Sequence, residues 1–174
     1  MSPLGLYLHV PFCSTRCGYC AFHTTARWRH DALDRITDAM LADLDAARGF
    51  AAGATTVYVG GGTPTVLPAD RLAELVRAAR SGGSPLEVTV EANPESAAAD
   101  TLDALAEAGA TRLSVGVQTL EASAAAALGR RLTSPAELET IRRRWPGSLG
   151  ADLIHGAPAS STRGMLDAID ALVD

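Results

Sequence analysis

The chain contains no lysine, so all fifteen of its basic residues are arginine, and aromatic residues make up only 5% of it. No basic patch with interleaved aromatic side chains occurs, and nucleic acid is therefore not an expected partner. No apolar run approaches the roughly 18 residues that predict a membrane span. The sequence thus disfavours two large classes, nucleic-acid-binding proteins and membrane-spanning proteins.

Cysteine is also scarce, with three among 174 residues, and no export signal precedes them. Three cysteines cannot all pair in disulfides, so reduced thiols and a cytoplasmic location are expected. The chain is 47% hydrophobic and 20% charged, with a net charge of −5. This composition predicts one globular domain with a substantial hydrophobic core.

The three cysteines that are present stand close together. Cys13, Cys17 and Cys20 follow the apolar run Leu4–Val10 with the spacing C-x3-C-x2-C. Three thiolates on one loop can ligate three irons of a 4Fe–4S cluster and leave the fourth iron open for a small molecule. A structural Cys3His zinc site is the alternative, because His23 follows Cys20 by three residues.

Strand-like and helical patterns alternate along the whole chain. The predicted strands are Leu4–Val10, Thr55–Val59, Leu86–Ala92, Arg112–Val117 and Leu149–His155. The predicted helices are Asp31–Arg48, Pro68–Arg80, Ala99–Ala108, Glu121–Leu128, Pro135–Arg144 and Arg163–Val173. Such alternation predicts an α/β fold with parallel strands, an incomplete (β/α) barrel of about five βα units.

Polar residues stand at the ends of the predicted strands, where α/β barrels place their active sites. Gly60–Gly62 and Thr63 follow the second strand, and glycines there expose backbone groups to a ligand, although an ordinary turn is the simpler interpretation. Glu91 ends the apolar third strand, so we expect it to be half-buried and paired. Gln118 ends the fourth strand, and Asp152 lies within the fifth, where a buried charge needs a partner.

These segments together resemble the oxygen-independent coproporphyrinogen III oxidase family of radical S-adenosylmethionine (SAM) proteins, which includes a haem-chaperone branch. The segments occur in the family's order and span most of the chain. They are Leu6–Cys13, Gly60–Thr65, Glu91–Glu95, Arg112–Gln118, Leu128–Arg130 and Asp152–Pro158. The absence of a fourth cysteine two residues after Cys20 is closer to the chaperone branch than to the oxidase.

The resemblance implies two cofactors, a 4Fe–4S cluster and SAM, and it implies their ligands. Cys13, Cys17 and Cys20 would ligate the cluster, and no side chain is expected to act as a catalytic acid or base. The remaining residues would contact SAM: Tyr19 at the adenine, Tyr7 with Gly61, Gly62 and Thr63 at the cluster-bound SAM, Glu91 at the ribose, and Gln118, Arg130 and Asp152 along the pocket.

The resemblance also implies partners and a domain plan. Residues 1–174 would form a radical SAM core that lacks the family's sixth βα unit and carboxyl-terminal domain. The expected partners are a small molecule such as a porphyrin or haem, an electron donor such as flavodoxin or ferredoxin, and an oligomer or partner chain over the open barrel edge. Leu132 and His155 depart from the family pattern, as does the Ala159–Ser161 turn, which leaves the substrate least defined.

Three functions follow as hypotheses. The first is a radical SAM enzyme that reductively cleaves SAM to a 5′-deoxyadenosyl radical in porphyrin or haem metabolism. The second is a non-catalytic truncated paralogue that carries an iron–sulfur cluster or haem. The third is a structural zinc protein that uses the three cysteines and His23.

Overall fold

Five parallel strands form one open sheet in the order β1-β2-β3-β4-β5. The computed structural model describes residues 4–81 and 83–173. The strands are β1 Leu4–Val10, β2 Ala54–Gly61, β3 Glu87–Ala92, β4 Arg112–Gln118 and β5 Ser148–Leu153. The helices are α1 His30–Ala46, α2 Arg48–Ala51, α3 Ala69–Arg80, α4 Ala99–Ala108, α5 Ala122–Ala127, α6 Pro135–Arg144 and α7 Thr162–Val173.

Every strand is parallel to its neighbour, and helices connect successive strands. The predicted α/β fold with five parallel strands is therefore confirmed. Within the described residues, β1 and β5 each pair on one side only, so the sheet is an unclosed barrel. This topology brings the carboxyl ends of all five strands to one edge, where the polar residues of the predicted site stand.

The two faces of the sheet differ in chemistry because successive side chains of a strand point to opposite faces. One face is apolar and packs against the helices; its buried residues include Val57, Val59, Val88, Val90, Leu113 and Val115. Leu72 and Leu75 of α3 and Leu102 and Leu105 of α4 are fully buried in the same core. Each such side chain stabilises the fold by about 1.5–3 kcal/mol, so this face holds the domain together.

The opposite face, which we call the inner face, carries mostly polar side chains and glycines at alternate residues. Its members include Tyr7 and His9 of β1, Tyr58 of β2, Thr89 and Glu91 of β3, Arg112 and Ser114 of β4, and Gly150 and Asp152 of β5. A barrel whose interior served only as a core would carry branched apolar residues here. The polar composition therefore indicates a ligand-binding surface.

Two helix ends show how local sequence sets the element boundaries. Gly109 ends α4 in the left-handed conformation, with φ of 91°, as its position after the helical pattern predicts. Ser134 and Glu137 form a reciprocal capping box that begins α6, with Pro135 in the first turn. No helix among the described residues is long and apolar enough to cross a membrane.

Three expectations differ from the structure. The first long helix ends at Ala46 and a separate short helix follows, where the pattern predicted one helix to Arg48. The fifth strand ends at Leu153, so His155 lies outside it. The expectation that Asp152 is a buried charge is wrong: β5 is an edge strand, and Asp152 is exposed on it.

Candidate functional site

The cysteine loop is closed at its base by backbone hydrogen bonds. The N–H of Cys13 donates to the carbonyl of Thr25 over 3.0 Å, and the N–H of Thr25 donates to the carbonyl of Pro11 over 2.8 Å. The indole Nε1 of Trp28 donates to the carbonyl of Cys13 over 2.8 Å, while the ring of buried Phe12 packs against that indole. The loop that carries all three cysteines is thus held at the end of β1.

The glycine-rich end of β2, together with Gly62 and Thr63 after it, runs directly beside this loop. The N–H of Gly62 donates to the carbonyl of Val10 over 2.7 Å, and the N–H of Thr63 donates to the carbonyl of Phe12 over 2.8 Å. A Cβ on Gly62 would lie 2.4 Å from the carbonyl oxygen of Phe12 and 2.9 Å from Sγ of Cys13. Only glycine allows so close an approach, which explains one residue of the triplet.

Glu91 is half-buried and paired, as predicted. Its Oε1 accepts a 2.7 Å hydrogen bond from the hydroxyl of Tyr58, and its Oε2 accepts a 3.1 Å bond from the N–H of Gly61. A Cβ on Gly60 would lie 2.8 Å from Oε2, so the glycine makes room for the carboxylate. Burial, and then the bond to Glu91, raise the pKa of Tyr58, so the phenol remains a donor at neutral pH.

Arg130 connects the cysteine loop to the ends of β3 and β4. Its Nη2 donates to Oδ1 of Asn93 over 3.1 Å and to the carbonyl of Gly116 over 2.8 Å. Its Nη1 donates to Sγ of Cys17 over 3.6 Å. Nδ2 of Asn93 in turn donates to Oγ1 of Thr63 over 3.0 Å. A half-buried guanidinium beside the thiols offsets the negative charge that bound thiolates would bring.

The end of β4 is bent so that Gln118 turns toward the site. The pairing of β4 with β5 shifts register between Gly116 and Gln118, and Gln118 has a positive φ of 67°. Such irregularities re-aim side chains and concentrate at functional sites. On the neighbouring strand, Oδ2 of Asp152 accepts a 3.1 Å hydrogen bond from Oγ of Ser114, so the exposed carboxylate is held at the same edge.

These elements surround one cavity of about 460 Å³, a size typical of small-molecule sites. All but one of the residues assigned above to the cluster and to SAM line this cavity, the exception being Tyr7. The predicted residues that line it are Cys13, Cys17, Tyr19, Cys20, Gly61, Gly62, Thr63, Glu91, Gln118, Arg130 and Asp152. Sequence reasoning missed Asn93 and Ser114, which also line it. Asn93 directly follows β3, so the strand-end rule would have found it.

Tyr7 lies next to the cavity without lining it. Its side chain is 56% exposed, its hydroxyl donates to Nδ1 of His9 over 3.1 Å, and its ring stacks on Tyr58 at 6.0 Å. Nε2 of His9 donates to the carbonyl of His23 over 2.9 Å, which leaves Nδ1 as the acceptor. Tyr7 therefore packs against Tyr58, the residue that donates to Glu91.

Tyr19, by contrast, lies on the cavity wall beside the thiols. Its side chain is 43% exposed. Burial, and then the nearby Cys17, raise the pKa of the Tyr19 hydroxyl to about 12, so this ring is neutral at physiological pH. A neutral aromatic ring with an exposed face suits stacking against a planar group.

The donor set fits a cluster better than a single ion. All three thiols are free and half-buried, and all line the same cavity. No three Cys, His, Asp or Glu side chains among the described residues converge on one ion position, and the side chain of His23 is exposed. The Cys3His zinc hypothesis therefore finds no support in this geometry. A 4Fe–4S cluster takes each thiolate on a different iron, so its ligands need not converge.

Comparison with known proteins places the chain in a family. The model of the radical SAM superfamily matches residues 7–145, and the chain belongs to that superfamily. The chain is 40% identical to the heme chaperone HemW of Mycobacterium tuberculosis (strain ATCC 25618 / H37Rv), over 98% of this chain and 46% of that protein. It is 32% identical to the oxygen-independent coproporphyrinogen III oxidase of Paracoccus denitrificans, over 98% of this chain and 40% of that protein.

Solved structures agree with this placement. Coproporphyrinogen III oxidase (HemN) from Escherichia coli, a radical SAM enzyme, superposes with a TM-score of 0.82 and 27% identity, over 97% of this chain and 41% of that one. The radical SAM methyltransferase TsrM from Kitasatospora setae shares the fold with a TM-score of 0.61 at 15% identity. The chain thus spans less than half the length of these relatives.

Proposed function

We propose that this chain binds a 4Fe–4S cluster through Cys13, Cys17 and Cys20 and uses it to cleave SAM reductively, in a reaction linked to porphyrin or haem. The observation that supports this most directly is the shared cavity: three free thiols, a glycine-rich strand end and a fixed carboxylate face one space of about 460 Å³. When bound and reduced, the cluster supplies the electron that splits SAM into methionine and a 5′-deoxyadenosyl radical.

The chain's own residues bind and orient SAM in this proposal. The Gly61–Thr63 segment presents backbone groups at the cavity edge, beside Cys13. Glu91 accepts hydrogen bonds from the ribose hydroxyls with the lone pairs that Tyr58 and Gly61 leave free. Tyr19 stacks beside the adenine. No general acid or base is required. Because the polar groups of the cavity are already held by hydrogen bonds, SAM binding costs less conformational entropy of the protein.

Residues at the ends of β4 and β5 complete the pocket. Arg130 neutralises thiolate charge and holds Asn93, while Gln118 and Asp152 line the side of the cavity away from Gly61. For this chain we assign them to the wall that faces SAM and its reaction partner.

The partners follow from the relatives' names and from the exposed surfaces. One relative is named a heme chaperone and two are named coproporphyrinogen III oxidases, so a tetrapyrrole is the proposed substrate. An electron donor of the flavodoxin or ferredoxin type would reduce the cluster. The open edges at β1 and β5, where Leu4 and Leu149 are 44% and 41% exposed, are the surfaces that a second copy or a partner chain would cover.

A spectroscopic experiment tests the cofactor part of this proposal. The chain is reconstituted anaerobically with iron and sulfide, reduced, and examined by electron paramagnetic resonance before and after SAM is added. A signal that changes on SAM addition is the expected result, because SAM would bind the iron that lacks a cysteine. A cluster whose signal is insensitive to saturating SAM would refute SAM binding at that iron.

A non-catalytic function is the second candidate, since the relative with 40% identity is named a heme chaperone. In that case the chain would carry an iron–sulfur cluster or haem without turnover. Both the enzyme and the carrier would need the cysteines and the cavity, so these features do not distinguish the two functions. Formation of 5′-deoxyadenosine separates the two, because a carrier has no need to consume SAM.

A further inference from the structure

Arg112 stands on the inner face, and no group among the described residues bonds to its guanidinium. It begins β4 and is half-buried, yet among the described residues its guanidinium makes neither a hydrogen bond nor an ion pair. The other half-buried arginines all have partners: Arg71 pairs with carboxylates, Arg80 donates to the carbonyl of Ala108, and Arg130 donates to Asn93 and Gly116. A half-buried cation without a bonded anion has lost part of its hydration and gained no ion pair, so this guanidinium is a candidate for binding an anion.

The sheet provides a space for this guanidinium. On the neighbouring strand, a Cβ on Gly150 would lie 2.8 Å from Nη2 of Arg112 and 3.7 Å from Oγ of Ser114. Any side chain at this position would displace the guanidinium. Gly150 therefore leaves a gap in the inner face that holds the arginine head group next to Ser114, a residue of the cavity wall.

Other polar groups surround the same space. Burial and the bond to Glu91 raise the pKa of Tyr58, the charge of Asp152 raises it further, and the charge of Arg112 opposes this rise. Tyr58, on β2, is therefore within electrostatic reach of groups on β4 and β5, as expected of a curled sheet. Arg112 thus faces the interior of the partial barrel, below the site proposed for SAM.

We propose that Arg112 binds a carboxylate of the substrate on the inner face and thereby selects carboxylate-bearing tetrapyrroles. This inference rests on the proposed function for the substrate class. A planar guanidinium recognises a carboxylate through two parallel hydrogen bonds, which fixes orientation as well as affinity. Arg112 acts in binding and positioning and takes no part in bond cleavage.

The surrounding charges favour a carboxylate over a phosphate. Glu91 and Asp152 line the cavity above, so a doubly charged phosphate would be repelled more strongly than a singly charged carboxylate. One guanidinium balances one carboxylate. Because the inner face is lined with polar groups, an anion bound there can also find donors for its remaining lone pairs.

Porphyrin titrations test this assignment. The reconstituted chain is titrated with coproporphyrin III, which carries four carboxylates, and with its tetramethyl ester in the same detergent solution, with porphyrin fluorescence as readout. Arg112→Gln is expected to weaken coproporphyrin III binding about ten- to hundredfold, with the ester affected little. Gly150→Ala is expected to weaken it as well, by displacing the guanidinium. Arg142→Gln, an exposed arginine of α6, is the control and should bind like wild type.

Several results would overturn the proposal. The first is that wild type and Arg112→Gln bind coproporphyrin III with equal affinity. The second is that Arg112→Gln weakens binding of the ester as much as binding of coproporphyrin III. The third is that Arg112→Gln weakens SAM binding to a comparable extent. If Arg112→Gln does not fold by circular dichroism, Gly150→Ala and Arg112→Lys decide the question by the same criteria. Failure of wild type to bind coproporphyrin III would also refute it, while 5′-deoxyadenosine formation would still test the proposed function separately.

Discussion

The hydroxyl of Tyr58 donates a 2.7 Å hydrogen bond to Oε1 of Glu91, although the two residues are 33 positions apart. The N–H of Gly61 holds the other carboxylate oxygen at 3.1 Å. These two donors fix the orientation of the Glu91 carboxylate at the end of β3. A ligand hydroxyl therefore meets an acceptor that needs little further ordering, and this explains how β2 and β3 together prepare the cavity.

The first prediction concerns that carboxylate. Glu91→Gln should weaken SAM binding by about 1–3 kcal/mol, because hydrogen bonds to a charged acceptor are lost. Tyr58→Phe should have a smaller effect in the same direction, since Gly61 still holds one oxygen. Calorimetry on the reconstituted protein measures both.

The matched control for Glu91 is Glu107→Gln, which changes an exposed glutamate of α4. It removes the same charge from a helix surface and should leave SAM affinity unchanged. Equal affinity of Glu91→Gln and Glu107→Gln would show that the carboxylate at β3 does not contact SAM.

The second prediction concerns the approach of the glycine-rich segment to the cysteine loop. Gly62→Ala should greatly reduce cluster retention, because its Cβ would lie 2.4 Å from the carbonyl oxygen of Phe12 and 2.9 Å from Sγ of Cys13. Gly49→Ala is the control, since nothing lies within 4 Å of its Cβ position in α2. Iron and acid-labile sulfide per chain provide the measurement, and full loading of Gly62→Ala would contradict the contact.

The third prediction separates the cluster from zinc. Cys17→Ala should abolish cluster retention, because it removes one of three ligands, while His23→Ala should retain it, because that side chain is exposed. Metal analysis after anaerobic reconstitution measures iron, sulfide and zinc together. Stoichiometric zinc without sulfide, lost on changing His23, would favour the Cys3His site instead.

The fourth prediction concerns stability in acid. The hydrogen bond from Arg131, followed by bonds from Ser134, lowers the pKa of Glu137 from 4.5 to about 2. A lowered pKa in the folded state stabilises the fold above pH 4.5, and this contribution is lost as the pH falls through about 2. Glu137→Gln should therefore destabilise α6 above pH 4.5, by less than about 1 kcal/mol for so exposed a pair, and the difference should shrink as the pH is lowered and vanish below that pKa.

Chemical denaturation of wild type and Glu137→Gln, side by side across this pH range, measures the effect. Arg131→Gln should reproduce it, because it removes the same ion pair. A difference between the two proteins that stays constant with pH would contradict the assigned cause.

Much of the fold could be predicted because hydrophobic periodicity reports which faces are buried. Val57, Val59, Val88 and Val90 alternate with polar residues, and the structure buries all four against the helices. The alternation of five strands with helices also predicts open edges at the first and fifth strands, and the structure confirms them. The local pattern of the fifth strand indicated a buried Asp152, which is wrong, because a strand that pairs on one side only leaves such a side chain exposed.

The candidate site was predictable where a residue ends a strand and less so where its role depends on distant contacts. The rule that chemistry gathers at strand ends indicated Glu91 and Gln118. It did not indicate that Arg130 would bridge Cys17 and Asn93, because those partners are 113 and 37 positions away. For Tyr7 the resemblance predicts a contact with SAM; in the structure its ring stacks on Tyr58 next to the cavity, and the contact with SAM stays a prediction.

The central claim is that the chain uses its three cysteines to cleave SAM, and one assay tests it most directly. The anaerobically reconstituted protein is incubated with SAM and dithionite, and 5′-deoxyadenosine is quantified by chromatography, with Cys17→Ala as the control. The account predicts 5′-deoxyadenosine from the wild-type protein and none above background from Cys17→Ala. Wild-type protein that carries a full cluster and binds SAM, yet forms no 5′-deoxyadenosine, would contradict it.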